Sequence, residues 1–92
     1  MPQLLRIGPY TIYFWSNESG PLEPVHVHIA DGRPTRDATK IWITCTGKTL
    51  ICHNRSNIPE RVLNRLLRVI EANADSFVRA WEDHFGEGRF YC

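Results

Sequence analysis

Polar and apolar side chains alternate through Pro24-Val25-His26-Val27-His28-Ile29, the pattern of a strand that buries one face. Side chains two apart share a strand face, so Val25, Val27 and Ile29 point one way and both histidines the other. The same period returns at Lys40-Ile41-Trp42-Ile43-Thr44-Cys45, with Ile41, Ile43 and Cys45 opposite Lys40, Trp42 and Thr44. Tyr10-Thr11-Ile12-Tyr13-Phe14-Trp15 is aromatic and β-branched, and predicts a strand after the Gly8-Pro9 turn that ends a short strand around Leu5 to Ile7. Ser16 to Pro21 reads as a polar loop, and Asp31-Gly32-Arg33-Pro34 stops the histidine strand. Thr46-Gly47-Lys48 predicts a hairpin turn into a last strand over Thr49 to His53, where alternation puts Leu50 and Cys52 on one face and Ile51 and His53 on the other.

The period then becomes helical. Asn57-Ile58-Pro59-Glu60 predicts a helix start, with an Asn cap, Pro tolerated in the first turn and Glu three residues on. Val62, Leu63, Leu66, Leu67 and Ile70 share one face of that helix, and Arg61, Arg65 and Arg68 line the opposite one. A second helix starts near Asn73 to Asp75, buries Ala74, Phe77, Val78, Trp81 and Phe85, and stops at Gly86. The tail Gly88-Arg89-Phe90-Tyr91-Cys92 carries apolar residues suited to joining the sheet or docking on a partner. Strands followed by helices predict an α+β fold, an antiparallel four- to five-stranded sheet covered on one face by two C-terminal helices.

At 92 residues, residues 1–92 make a single domain with a thin core, which a partner protein or a homodimer would supplement. A composition of 42% hydrophobic and 23% charged residues excludes intrinsic disorder. No apolar run approaches membrane-spanning length and the first residues lack the pattern of a secretory signal, so a cytoplasmic location and no membrane partner are expected. Cys45, Cys52 and Cys92 give an odd count without a CxxC pair, which predicts reduced thiols rather than a disulfide framework or a zinc site. A net charge of +1 gives no general attraction to nucleic acid, so any polyanion site depends on local clusters.

With the helices on the Val/Ile face, the other face is expected to be open and to show His26, His28, Lys40, Trp42 and Thr44, joined by Tyr13 or Trp15. Such a face suits a phosphodiester of RNA: His26 and His28 serve as acid and base, Lys40 stabilises phosphate charge, and Trp42 and Trp15 stack on bases. Glu18 is the carboxylate expected to orient a histidine, if its loop folds over the sheet. The arginine stripe Arg61, Arg65 and Arg68, with Arg55 before it, would add phosphate contacts, although a solvated helix face is its more ordinary role. A metal reading takes His26 and His28 with Glu18 or His53 as third ligand, and ranks lower because an HxH pair arises readily by chance. No Gly-rich phosphate loop, nucleophile elbow or nicotinamide fingerprint is present, so no cofactor and no metal are expected.

Five pieces together resemble a known bacterial family: Tyr13-Phe14-Trp15-Ser16-Asn17-Glu18, the Pro24-Val25-His26-Val27-His28 strand, Lys40-Ile41-Trp42, the Pro59-Glu60 helix start and Trp81-Glu82-Asp83-His84-Phe85. The resemblance is to domain of unknown function 4160. The family pattern usually reads Pro-Pro-His-x-His, from which Val25 departs, and the Asp31 to Thr39 connection is longer than usual. The resemblance implies a small cytoplasmic protein of the kind proposed as the toxin of a type II toxin–antitoxin pair, often an RNA-directed protein neutralised by a cognate antitoxin. The competing readings are a non-catalytic module that binds protein or nucleic acid, and a small metal-binding protein.

Overall fold

The computed structural model describes residues 2–15 and 23–92. Five strands, β1 (Gln3–Ile7), β2 (Tyr10–Tyr13), β3 (His26–Asp31), β4 (Thr39–Ile43) and β5 (Thr49–His53), precede two helices, α1 (Glu60–Ala72) and α2 (Ala74–Phe85). The strands form one antiparallel sheet in sequence order, β1-β2-β3-β4-β5. The α+β architecture read from the sequence is therefore the architecture of the protein.

The Val/Ile face of the sheet makes the main core. Ile12, Phe14, Val25, Val27, Ile29, Ile41 and Ile43 pack with Leu63, Leu66 and Ile70 of α1 and Ala74, Phe77 and Trp81 of α2. Burying an aliphatic or aromatic side chain of this kind stabilises by about 1.5–3 kcal/mol, so this layer holds the helices on the sheet. Arg61, Arg65 and Arg68 project from the far side of α1 and are exposed.

Local chemistry departs from expectation at the start of α1. Pro59 occupies the capping position without a side-chain hydrogen bond. Asn57 instead adopts a positive φ of 54°, a conformation that Asn tolerates better than most residues. Asn54 braces the approach, its side chain donating to the Ile58 carbonyl at 2.9 Å and accepting from the Ile58 N–H at 3.1 Å. Gly86 ends α2 in the left-handed conformation, φ 82°, as its position predicted.

Two further corrections concern the cysteines and β5. Cys45 and Cys92 form a disulfide across 47 residues, with Cα atoms 6.1 Å apart, and Cys52 is the free, exposed thiol. The expectation of reduced thiols failed because it weighed motif spacing, whereas the tail folds back to the hairpin that carries Cys45. In β5 the register shifts between Lys40 and Ile41: Trp42 pairs with Leu50 and Ile41 with Ile51, but Lys40 pairs with His53. The extra residue, Cys52, is a bulge, and it moves His53 onto the face of Lys40 and Leu50.

Candidate functional site

Cross-strand registry builds the second sheet face. Tyr13 pairs with His28, His28 with Lys40 and Lys40 with His53, so these four side chains form one row across β2 to β5. His26, Trp42 and Leu50 form the next row. The histidine pair, Lys40 and Trp42 therefore do share a face, opposite the helix-bearing one, as the alternation predicted.

That face is not open. His26 is 1% exposed and His28 5%. Rings cover His26, whose imidazole lies edge-on to His28 at 5.2 Å, to Trp42 at 5.7 Å and to Trp81 at 5.0 Å, the last reaching across from α2. His28 stacks on Tyr13 at 5.5 Å. The long β3–β4 connection closes over both: the Tyr13 hydroxyl donates to the Thr35 carbonyl, and Ala38 packs with Tyr13 and Ala30 in a second small cluster. Trp15 lies edge-on to Tyr13 at 5.6 Å, with Arg36 over its ring at 5.8 Å, so it is half-buried packing rather than a free platform. Alternation assigns a face correctly but says nothing of what a loop lays across it.

Backbone carbonyls orient both imidazoles. Nδ1 of His26 lies 3.0 Å from the Pro24 oxygen and Nδ1 of His28 lies 3.1 Å from the Ala38 oxygen. A carbonyl only accepts, so each Nδ1 carries the proton and the neutral ring has its lone pair on Nε2. Burial holds His26 down at about 4, against the Pro24 carbonyl and with the Lys40 ammonium. Burial also lowers His28, with the Ala38 carbonyl opposing and Lys40 and His53 assisting. His53, half-buried, is lowered by burial and then by Arg55 and Lys40, and its Nδ1 accepts the Arg55 N–H at 3.3 Å.

Lys40 is held by a carboxylate that sequence reasoning passed over. Its Nζ donates to Glu23 Oε1 at 2.6 Å and lies 4.6 Å from the Trp42 ring centroid. Partial burial works to raise Glu23, but the Lys40 hydrogen bond and charge override it, leaving the carboxyl below its usual range. Glu18, the carboxylate expected in this role, lies outside the described residues. The signal for Glu23 was its place just before Pro24, at the mouth of the strand that pairs with Lys40. No comparable signal marked His53, because a bulge leaves no trace in a period of two.

The arginine stripe is not part of this site. α1 lies on the other side of the sheet, so a ligand seated on the row of His28, Lys40 and His53 does not reach Arg61, Arg65 or Arg68 from the same position. Among the described residues, no carboxylate pairs with these arginines within 4.0 Å. Among the described residues, no three His, Cys, Asp or Glu side chains come together as a metal-binding group, and no helix is long and apolar enough to cross a membrane. The metal alternative built on His53 thus lacks its third ligand.

No curated protein and no solved structure matches the chain. One family model does, over residues 10–82, a span that runs from β2 through Trp81 and contains every member of both rows. By that match, the chain belongs to the family described as domain of unknown function DUF4160.

Proposed function

We propose that this protein is the RNA-directed component of a type II toxin–antitoxin pair, and that it engages a phosphodiester on the row formed by His28, Lys40 and His53. The observation that carries the reading is the row itself: His28, Lys40 and His53 are cross-strand partners on one face, on adjacent strands whose backbones run about 5 Å apart. Lys40 neutralises phosphate charge in place of its present partner Glu23. His53, whose Nδ1 is occupied by the Arg55 N–H, directs an Nε2–H towards a phosphoryl oxygen.

Cleavage, on this reading, needs only one protein base. Once the β3–β4 connection that buries His28 lifts away, His28 Nε2 accepts the proton of the attacking 2′-hydroxyl, Lys40 stabilises the added charge, and the departing 5′-oxygen takes its proton from water. His26 is not the acid, because a group that titrates at about 4 is protonated in roughly one molecule in a thousand at pH 7. Its place is to position His28, which it meets edge-on.

Substitutions of opposite sign test the site. Lys40→Ala should weaken binding of a single-stranded RNA oligonucleotide about tenfold, and Glu23→Gln, which frees Lys40, should strengthen it. His28→Gln should lower any RNA cleavage by about 10²–10⁴. The burial of both histidines favours a second reading, a binding module without catalysis. That reading is preferred if binding follows Lys40 and Glu23 as stated but the wild type cleaves nothing. If neither substitution changes RNA affinity, the row is not an RNA site.

The arginine stripe has its own test. Replacing Arg61, Arg65 and Arg68 together by Gln should flatten the salt dependence of RNA binding if the far side of α1 gathers RNA electrostatically. An unchanged salt slope makes it a solubilising surface.

A further inference from the structure

The chain after α2 is built as a strap across one end of the sheet. Gly88 passes so close to Val25, the residue before β3, that an added Cβ would stand 3.2 Å from Val25 Cγ2. The Arg89 carbonyl then accepts the Val25 N–H at 2.7 Å. Tyr91 lies parallel to Trp42, with an interplanar angle of 6° and centroids 5.4 Å apart. Cys92 closes the strap through its disulfide to Cys45.

Besides that disulfide, the strap is held by the Val25–Arg89 backbone hydrogen bond and the stack of Tyr91 on Trp42. Phe90 and Tyr91 are among the exposed large hydrophobic residues. A cavity of about 260 Å³ lies beside the strap, lined by Thr44, Cys45, Ala74, Val78, Arg79 and Phe90. A segment with few buried contacts opens at low cost once its covalent tether is gone. Tyr91 meanwhile occupies an offset stacking position over Trp42, the place where a nucleobase would lie.

We propose that the segment from Gly88 to Cys92 is a redox-released cover: while Cys45 and Cys92 are joined, Tyr91 blocks the Trp42 platform, and reduction uncovers it. The inference rests on the RNA reading for what binds there, but not for the opening itself. The reductant is a dithiol. One of its thiolates attacks the Sγ of Cys92, Cys45 leaves as a thiolate, and the second thiol resolves the mixed disulfide and releases Cys92. Two electrons and two protons reach the protein, and the dithiol becomes a disulfide.

The experiment compares the full chain, oxidised and dithiothreitol-reduced, by hydrogen exchange and by binding of a single-stranded RNA oligonucleotide. Reduction should speed exchange at Val25, whose N–H is held by the Arg89 carbonyl of the strap, about tenfold or more while Ile41 and Ile43 stay protected. RNA affinity should rise about tenfold, and Tyr91→Ala should reproduce that rise in the oxidised chain with its disulfide intact. Unchanged exchange at Val25 would overturn the strap. Faster exchange with equal RNA affinity in both states would overturn the blocking role of Tyr91. Faster exchange without RNA binding in any form supports release of the strap and defeats the RNA reading alone. Loss of protection throughout the sheet, in reduced protein and in Cys92→Ser alike, would make the disulfide a staple of the fold and sink the proposal.

Discussion

Acidifying the protein from pH 7 to pH 4 should remove on the order of 3 kcal/mol of folding stability through His26 alone. The folded chain holds that imidazole at about 4 because burial disfavours its charged form, whereas the unfolded chain takes up the proton near the ordinary value of 6.5. Between those values the unfolded state binds more protons, so stability rises with pH across the window. The contribution is complete above about 6.5, falls as the pH drops, and changes no further below about 4. His28 is shifted in the same direction and deepens the loss. Glu23 and Glu71, both held below their usual range, extend it into the carboxylate region. Urea denaturation at a series of pH values reads this directly. A midpoint that stays flat from pH 7 to pH 5 and falls only with the carboxylates would mean that His26 is hydrated in solution.

The same histidine marks how far the sequence was legible. Period-two alternation at residues 24–29 and 40–45 was enough to separate Val25, Val27 and Ile29 from His26 and His28, because a strand has only two faces. Helical spacing was enough to place Leu63, Leu66, Ile70, Phe77 and Trp81 in one core, because the apolar residues of each helix have one sheet to meet. The burial of the histidines was not legible. It depends on how the β3–β4 connection turns back over Tyr13 and on Trp81 reaching past Phe14 to His26, and neither is encoded in a local period. The bulge at Cys52 escaped for a related reason. Strand periodicity assumes one residue for one residue across a ladder, and His53 changes face as soon as that fails. The Cys45–Cys92 pairing, with 47 residues between its ends, is a tertiary fact of the same kind. Its loop closure is worth about 4 kcal/mol in the chain-entropy model, so a small domain gains much from a contact that spacing does not announce.

Trp81 is the residue where core and candidate site meet, and its removal should have the largest effect on stability of any single truncation. The indole is 0% exposed and lies 5.2 Å from Phe14, 4.5 Å from Phe85 and 5.0 Å from His26. Trp81→Ala should cost about 3–5 kcal/mol, from lost burial and the cavity left between α2 and the sheet. A domain of this size has roughly 5–14 kcal/mol in total, so the melting temperature should fall by about 15–30 °C. Trp81→Phe should cost much less. It keeps most of the aromatic contact and deletes Nε1, a buried donor with no hydrogen-bond partner among the described residues. The two variants also bear on the histidine. If the Trp81 ring is what keeps water from His26, Trp81→Ala should let the imidazole titrate closer to 6.5, and the stability lost between pH 7 and pH 4 should shrink with it. Trp81→Phe should retain most of that pH dependence. An alanine variant that loses less than about 1 kcal/mol, or one whose pH dependence matches the wild type, would show that α2 does not seal His26.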